Sequence, residues 1–380
     1  MDQAATSYPT LPSVIKEMIH SMKNYGANPG RGTHTLGVQT SDIVNKTRAK
    51  AAKLFNVQHV HQCIFSPSAT IALNQAILGY SWKKGDHVIA TTMEHNAVRR
   101  PLEAARRKHG ITVTYIEWTG NLQKFIKQVK SNIRDQTTMF AMTHASNITG
   151  DVLPIEEICL FLKKYHITTL VDASQSIGHI PIRMQEAFID MLVFPGHKGL
   201  RGPKGIGMLL VNKELILEPL FYGGSGGASE SATPPLQWPY RFEVGTLNVP
   251  AIAGLYASFK YIEQHGRKIV SRETKLMEKL EKGLEQIPGV VIYPPYSKDV
   301  RVPVLAWNIK DIDSEEIALI LDSHYEIAVR AGLHCNPMGH ETLHTTEQGV
   351  VRVSINETNT EEELDQFLHA VKEIAQSYNI

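Results

Sequence analysis

Short apolar runs alternate with amphipathic stretches along residues 62–211 of the chain. Continuous apolar runs of a few residues are typical of buried strands, and apolar residues spaced three and four apart are typical of helices. Alternation at this spacing predicts right-handed crossovers and a mainly parallel sheet of seven strands. The predicted strands are 62–66, 87–91, 112–116, 138–143, 167–172, 190–194 and 207–211, and the predicted helices are 69–80, 97–109, 122–132 and 155–165.

The pattern changes between residues 222 and 239, where glycine, serine and proline replace large apolar residues. A long segment of this composition predicts a loop that is functional or reaches a partner. Beyond it, we predict helices at 251–265, 273–286, 314–323 and 361–377, and short strands at 302–307, 328–330 and 350–354. We therefore expect an α/β protein with a large domain over 14–248 and a smaller α+β domain formed by 1–13 and 249–380.

Composition narrows the class of protein. The chain is 42% hydrophobic and 20% charged, which is ordinary for a folded domain. Its 39 basic and 38 acidic residues balance, so nothing favours a nucleic-acid partner. No apolar run approaches the roughly 18 residues of a membrane span, and the N-terminus lacks a signal-peptide pattern. An odd number of cysteines fits a reducing compartment, so we expect a cytoplasmic enzyme.

Two strand-end segments carry the clearest chemistry. Val171-Asp172-Ala173-Ser174-Gln175 closes one apolar run, and Phe194-Pro195-Gly196-His197-Lys198 closes another. Ligands bind at the carboxyl ends of strands in such sheets. A lysine there can form a Schiff base with an aldehyde, and a buried aspartate can keep a pyridine nitrogen protonated, which is the protein's part in pyridoxal-phosphate chemistry. The glycines around Lys198 favour close backbone approach over a solvated surface lysine.

Three further segments have ordinary explanations as well as functional ones. Ser68, Ala69 and Thr70 precede a predicted helix, where free backbone N–H groups bind phosphate, although serine and threonine also cap many helices. His95 could stack on a flat cofactor ring, but a lone strand-end histidine is more commonly structural. Gln175 could hydrogen-bond the cofactor or be a satisfied loop amide, and the residues alone do not decide.

Cys335 differs from the other two cysteines. Cys63 and Cys159 lie in apolar patterns that indicate small buried residues. Cys335 instead lies in the polar loop Arg330-Ala331-Gly332-Leu333-His334-Cys335-Asn336-Pro337, beside a histidine that would favour its thiolate. A zinc site is the alternative, although the spacing matches no common closed site. Its ligands would come from His334, Cys335, His340 and His344.

Arg352 ends a predicted strand in the same part of the chain. Its planar guanidinium is suited to binding an amino-acid carboxylate through two parallel hydrogen bonds. A surface salt bridge explains such an arginine equally well, so the residue alone leaves both readings open.

Together these segments resemble the class V aminotransferase group of fold-type I pyridoxal-phosphate enzymes, and within it the cysteine desulfurases and selenocysteine lyases. The resemblance covers nearly the whole chain, from Asp2 to the strand near residue 352. So many ordered matches specify the fold, which no single match would. The matching segments are Asp2-Gln3-Ala4-Ala5-Thr6, Asn28-Pro29-Gly30-Arg31-Gly32-Thr33-His34, Glu94-His95-Asn96, Ser146-Asn147-Ile148-Thr149-Gly150, Asp172-Ala173-Ser174-Gln175-Ser176, Gly196-His197-Lys198, Glu243-Val244-Gly245-Thr246 and Arg330-Ala331-Gly332-Leu333-His334-Cys335.

The resemblance implies pyridoxal 5′-phosphate as the cofactor. Lys198 would hold its aldehyde, Asp172 its pyridine nitrogen and Gln175 its phenolic oxygen, and His95 would stack on its ring. The resemblance assigns the phosphate to Ala69, Thr70 and His197. Thr246 would reach the phosphate bound by the other subunit of a homodimer.

The resemblance also implies the reaction. Cys335 matches the cysteine that takes sulfur from L-cysteine as a persulfide, releasing L-alanine, and then passes it to an acceptor protein or thiol. The short loop around Cys335 resembles the group that needs a dedicated acceptor protein. Substrate positioning falls to His34, Asn147, Arg330 and Arg352, with Arg352 binding the carboxylate. The alternative is a selenocysteine lyase or another class V lyase or aminotransferase acting on a small amino acid.

Two departures from the family pattern concern the phosphate. The turn Ser68-Ala69-Thr70-Ile71 lacks one hydroxyl that relatives carry, and Pro195 replaces another. Each lost hydrogen bond to a charged group costs about 1.5–3 kcal/mol before compensation. A sulfur-relay or scaffold protein with weak catalysis is therefore a further alternative.

Overall fold

The computed structural model describes residues 1–30, 34–212, 214–225, 230–297 and 300–378. All seven predicted strands of the first part of the chain are present and form one sheet in the order β1-β7-β6-β5-β4-β2-β3. Their bounds are β1 Cys63–Ser66, β2 His87–Thr91, β3 Thr112–Ile116, β4 Thr137–Thr143, β5 Thr168–Asp172, β6 Met191–Pro195 and β7 Gly207–Val211.

Most of the sheet is parallel, as predicted. β3, β2, β4, β5 and β6 pair in parallel, whereas β7 runs antiparallel to both β6 and β1. Strand connections run outward in opposite directions from the β2–β4 pair. This is the switch point at which open α/β sheets form a ligand crevice.

Helices cover both faces of the sheet, because its strands are apolar on both sides. The four predicted crossover helices are present within two residues of their expected bounds. They are α3 Ala69–Leu78, α4 Asn96–His109, α5 Leu122–Asn132 and α6 Ile155–Lys163.

Three helical features before residue 286 differ from the sequence prediction. Two N-terminal helices, α1 Pro12–Asn24 and α2 Thr35–Phe55, were not predicted, and the helices expected at 251–265 and 273–286 are one continuous helix, α7 Val249–Glu285. The first part of α7 packs into the core of the seven-stranded sheet, and its last part packs into a separate C-terminal core.

The C-terminal part contains a three-stranded antiparallel sheet in the order β10-β9-β8. The strand predicted at 328–330 is wrong: Arg330 makes only an isolated bridge to Arg352. Short β8 and α9 were not predicted. The elements are β8 Val290–Tyr293, β9 Val304–Ile309, α8 Ser314–Tyr325, α9 Pro337–Leu343, β10 Val351–Ser354 and α10 Glu361–Ser377.

The described part of the predicted 222–239 loop contains neither helix nor strand, whereas Gly226 and Gly227 lie outside the described residues. Arg31, Gly32 and Thr33 of the Asn28 to His34 motif also lie outside them. Among the described helices, none is long and apolar enough to cross a membrane. The division into domains at residues 13 and 248 stays a prediction.

Candidate active site

The carboxyl ends of four neighbouring strands bring the predicted site residues to one edge of the sheet. β5 ends at Asp172, and β6 leads through Pro195 into the turn that carries Lys198. β2 leads to His95, and β4 leads to Asn147, so these two residues flank the switch point. The predicted cluster therefore follows from the parallel arrangement of the strands.

Lys198 is partly buried beside Gln175 and the N-terminal segment, where it lines a narrow cleft. Desolvation lowers the pKa of Lys198 to about 8, and the positive charges of Arg352 and Arg330 act in the same direction against Asp172. The Ser7 hydroxyl donates to the Lys198 carbonyl oxygen (2.8 Å), which fixes the turn. The result is an amine that can be neutral near physiological pH, as a nucleophile or base requires.

Asp172 is 3% exposed and accepts a hydrogen bond from the backbone N–H of Ser174 (2.9 Å). Gln175, three residues further along the chain, donates from its amide to the Ala4 carbonyl oxygen (3.2 Å). The aspartate thus lies under the cleft, where its charge acts on both Lys198 and His95.

His95 is the N-cap of α4, and its Nδ1 accepts from the backbone N–H of Ala97 (3.0 Å). Burial lowers the pKa of His95, Asp172 opposes this shift, and Lys198, Arg330 and Arg100 reinforce it. His95 is therefore a neutral imidazole, which suits a ring that lies against a flat ligand.

The beginning of α3 forms an anion-binding corner next to this cluster. Ser68 caps the helix by accepting from the Ile71 N–H (3.2 Å), while the N–H groups of Ala69 and Thr70 have no partner among the described residues. Gly207 allows the close approach, since a Cβ there would lie 3.0 Å from the Ala69 nitrogen. Free N–H groups at a helix start are suited to phosphate.

His197 lies beside Lys198 and is also neutral. Desolvation lowers its pKa to about 4, with Lys198 and Lys204 contributing. Its Nδ1 is buried without a hydrogen-bond partner in the described part of the protein. Because buried polar atoms are normally satisfied, this nitrogen indicates a missing ligand atom or water.

The Cys335 loop is anchored across the switch point. The Asn96 N–H donates to the Cys335 carbonyl oxygen (2.8 Å), and the Asn336 amide donates to the Met93 carbonyl oxygen (2.9 Å). On the β4 side, the Asn147 amide donates to the His334 carbonyl oxygen (2.7 Å). These bonds hold the loop over the strand ends, even though Asn147 and Cys335 are far apart in sequence.

The Cys335 thiol is exposed, and the Arg330 Nη2 lies 3.7 Å from its Sγ. The guanidinium therefore directs an N–H donor at the sulfur. His334 and Cys335 both have positive φ, 49° and 58°. Two consecutive non-glycine residues in this region store backbone strain, which is characteristic of functional sites.

Arg352 is buried within the same region and is already partly engaged. Its Nη2 donates to the Asp2 carboxylate (2.8 Å), and its Nη1 donates to the Asn147 carbonyl oxygen (3.0 Å). Its Nε has no partner among the residues that the structure describes. The salt bridge that the sequence left open is therefore present, but it is internal and leaves the Nε–H without a partner in the described structure.

Two predicted residues lie apart from this cluster. Thr246 lines a separate cavity of about 640 Å³ together with Asn28 and Gly30. His34 is an exposed residue that caps α2 by accepting from the Gly37 N–H (3.3 Å). Neither shares a hydrogen bond with Lys198 in the described structure.

A buried ion pair supports the segment that carries Thr246. Arg48 forms two 2.8 Å hydrogen bonds with the Glu243 carboxylate, which also accepts from the Phe65 N–H (2.7 Å). Sequence reasoning missed Arg48, because its partner lies 195 residues away. Missed as well were Asp2 and Glu94, although both fall inside segments that carry the family resemblance.

The predicted zinc alternative lacks a ligand set: within the described residues, no three His, Cys, Asp or Glu side chains could hold a metal ion. His334 donates from Nε2 to the Val350 carbonyl oxygen (3.0 Å), and His340 bonds the Thr345 hydroxyl through Nδ1 (2.8 Å). The carbonyl can only accept, so His334 carries its proton on Nε2.

The class of protein is settled by comparison with known sequences. The sequence model of the family Aminotransferase class-V matches residues 1–367, and the chain belongs to this family. This confirms the resemblance and the α/β fold class predicted from the sequence.

The relatives narrow the class further. The chain is 32% identical to a probable cysteine desulfurase of Methanothermobacter thermautotrophicus, over 98% of this chain and 94% of the relative. It is 33% identical to a probable cysteine desulfurase of Pyrococcus abyssi, over 99% and 94% of the two chains. The solved apo structure of the cysteine desulfurase of Thermococcus onnurineus NA1 superimposes with a TM-score of 0.90 at 30% identity, covering 99% of this chain and 94% of that one.

Proposed function

We propose that this protein is a pyridoxal-phosphate-dependent cysteine desulfurase that moves sulfur from L-cysteine to Cys335 and then to an acceptor. The observation that carries the proposal is the docking of the Cys335 loop onto the segments after β2 and β4, at the same edge of the sheet where β5 and β6 lead to Asp172 and Lys198. The cysteine desulfurase relatives, which match over nearly the full length, support the same reaction.

The residues at the strand ends fit pyridoxal phosphate. The free N–H groups at the start of α3 and the unpartnered His197 Nδ1 suit its phosphate. The buried carboxylate of Asp172 suits a pyridinium, and the low pKa of Lys198 suits attachment to an aldehyde. The backbone donors of Ala69 and Thr70 offset the hydroxyl that the turn lacks, so the residues present favour a working cofactor site over a scaffold protein.

When bound, pyridoxal phosphate withdraws electrons from the substrate's α-carbon and so acidifies its proton. Lys198 would take this proton at Nζ, and the neutral His95 imidazole would hold one side of the cofactor and exclude water from it. Arg352 orients the substrate through its carboxylate, using the Nε that has no other partner.

Cys335 carries the sulfur step. Its thiolate, stabilised by Arg330, attacks the sulfur of L-cysteine. A sulfur–sulfur bond forms while the carbon–sulfur bond breaks, and its electron pair stays with the carbon skeleton. Protonation of that skeleton releases L-alanine and leaves a persulfide on Cys335.

We also propose that the enzyme is a homodimer in which Thr246 serves the phosphate of the other subunit. The placement of Thr246 in a cavity separate from Lys198 is what such an arrangement needs. Sedimentation of the purified protein tests the dimer.

The variant Cys335→Ala tests the reaction. We expect the holoenzyme to release alanine from L-cysteine and the variant to lose this activity by at least about a hundredfold, because the nucleophile is gone. The matched control is Cys159→Ala, since Cys159 lines a cavity at the amino ends of the strands. Full desulfuration by Cys335→Ala would refute the role of Cys335. Alanine release by the unmodified holoenzyme from selenocysteine but not from L-cysteine would indicate the selenocysteine lyase alternative, because selenium leaves readily without a nucleophile.

A further inference from the structure

The helix α4 begins directly at the Cys335 loop and carries two arginines close to its start. Its first residue, Asn96, donates its N–H to the Cys335 carbonyl oxygen, and Arg99 and Arg100 are its fourth and fifth residues. The first turn of α4 contains no acidic residue. Cations are unfavourable near the positive end of a helix dipole, so helix stability does not account for the two arginines.

Arg100 is exposed and has no ion pair with another described residue. Glu103, one turn later, is occupied instead by Arg106 (2.7 and 2.8 Å) and lies 3.7 Å from Arg107. The charge of Arg100 therefore remains available to a partner.

Arg100 and Arg330 lie on two sides of the Cys335 loop. Arg100 lies four residues after Asn96 and therefore on the same face of α4, and Asn96 bonds the Cys335 carbonyl oxygen. Arg330 lies 3.7 Å from the Cys335 Sγ. Leu333 is 42% exposed beside the exposed thiol. We call Arg100, Arg330, Leu333 and Cys335 the thiol surface. Glu315 is a nearby carboxylate, since a Cβ on Gly332 would lie 3.4 Å from its Oε1.

We propose that the thiol surface selects a sulfur acceptor whose own thiol is flanked by acidic groups. The inference rests on the proposed function, because Cys335 must first hold a persulfide. The acceptor thiolate attacks the outer sulfur of the persulfide, a new sulfur–sulfur bond forms, and the bond to the Cys335 Sγ breaks. The electron pair of that bond stays on Cys335, which leaves as a thiolate.

The negative charges of the two reacting sulfur groups explain how arginines favour the transfer. Persulfide and acceptor thiolate are both anionic, so they repel each other as they approach. Arg100 attracts an anionic acceptor at the surface, and Arg330 stabilises the thiolate that leaves. Complementary charge of this kind acts mainly on the rate of encounter and on the choice of partner.

Three small thiols of different charge test the proposal with the holoenzyme and L-cysteine. Mercaptosuccinate carries two carboxylates, 2-mercaptoethanol carries no charge besides its thiol, and cysteamine carries an ammonium group. We expect the rate of sulfur transfer, expressed per thiolate, to fall in that order at low ionic strength, by about threefold or more between the extremes. Salt should compress the difference, because both the acceptor and Arg100 are exposed.

The variant Arg100→Glu should reverse the order of the two transfer rates, so that cysteamine accepts sulfur faster than mercaptosuccinate. Arg107→Glu makes the same charge change at the far end of α4 and should leave the order as it is. Identical behaviour of the two variants would overturn the proposal, and so would a transfer rate that depends on neither acceptor charge nor salt.

Alanine release without added thiol separates this proposal from the proposed function. About one equivalent of alanine per active site shows that Cys335 takes up sulfur. If no alanine forms, the proposed function fails. If alanine forms normally but acceptor charge has no effect on the transfer rate, only the proposed selection of acidic acceptors is refuted, and the proposed function stands.

Discussion

At the scale of single residues, the ends of β2 and β5 lead to two buried carboxyl groups, Glu94 and Asp172. Glu94 accepts from the Thr91 hydroxyl (2.5 Å) and from the Thr143 N–H (2.9 Å). Desolvation raises the pKa of Glu94 to about 8, and the charge of Asp172 adds to this shift. Glu94 is therefore protonated at neutral pH.

We predict that Glu94→Gln keeps activity and cofactor, because an amide has the shape of the protonated acid. Between the unfolded-state pKa of 4.5 and the folded-state pKa of about 8, the native wild-type protein binds the extra proton. Its stability therefore falls as pH rises through this window, by up to about 1.4 kcal/mol per pH unit. The variant lacks this loss, so its stability relative to wild type should rise from pH 5 to pH 8.

Denaturant unfolding at pH 5, 6.5 and 8 measures this difference. Glu94→Asp is the matched control, since it keeps the titrating group but shortens the side chain. A relative stability of Glu94→Gln that does not change with pH would mean that Glu94 is ionised in the native protein.

The sequence indicates the residues of the site better than it indicates their partners. Asp172 and Lys198 could be predicted because each follows an apolar run that ends at the same edge of a parallel sheet. The Asp2 partner of Arg352 could not, because it lies 350 residues away and nothing in the local pattern of either residue indicates the other.

At the scale of elements, strands were predicted more accurately than helices. The buried strands are continuous apolar runs, so their pattern is unambiguous. In α2, the buried face includes Thr40, Thr47 and Arg48, and both threonine hydroxyls bond backbone carbonyl oxygens of the helix itself. These buried polar residues interrupt the apolar spacing, so α2 could not be predicted from the hydrophobic pattern.

The sequence prediction wrongly divided α7 into two helices for a related reason. The middle of this helix, between the two predicted pieces, contains Gly266 and a run of exposed polar residues. Glycine is unfavourable in helices, so local propensity predicts a break there. Packing of the two ends of α7 into separate cores keeps the helix continuous.

We predict that Gly266→Ala stabilises the protein by about 0.5–1 kcal/mol with unchanged activity. The glycine lies inside the helix, and a Cβ would meet only the Ile262 Cγ2 at 3.9 Å, an ordinary contact. Gly254→Ala is the matched control in the same helix, because its Cβ would lie 2.9 Å from the Met18 Cγ and 3.1 Å from the Pro203 Cγ. Thermal unfolding should show a gain for Gly266→Ala and none for Gly254→Ala. A loss of stability for Gly266→Ala would show that the middle of α7 needs a glycine.

At the scale of the whole molecule, the N-terminal segment joins the two sheets at the active site. The Ser7 N–H donates to the His197 carbonyl oxygen (2.8 Å) in the turn after β6. The Ala4 N–H donates to the Ser354 hydroxyl (2.9 Å) at the end of β10, and Asp2 bonds Arg352 in the same strand. The segment thus fixes the lysine turn relative to the strand that carries the arginine, which no part of the local sequence pattern predicted.

Asp2 orients the donor that we assign to the substrate carboxylate. The guanidinium of Arg352 is held at Nη2 by Asp2 and at Nη1 by the Asn147 carbonyl oxygen, so Nε remains for a ligand in a fixed position. We predict that Asp2→Ala raises KM for L-cysteine by about tenfold, because a charge-assisted hydrogen bond that orients Arg352 is lost. The value of kcat should change much less, because Arg352 binds the same carboxylate in the ground state and the transition state.

Steady-state kinetics of Asp2→Ala and Asp2→Asn measure this split between KM and kcat. Asp2→Asn keeps a hydrogen-bond acceptor of similar shape without the charge, so its KM should lie between those of wild type and Asp2→Ala. The cofactor absorbance and the thermal unfolding of each variant show whether the fold is intact, since an unpaired buried arginine can cost several kcal/mol. A lower KM in Asp2→Ala would mean that Asp2 competes with the substrate for Arg352, and equal losses of kcat and kcat/KM would mean that the ion pair acts on the reaction step itself.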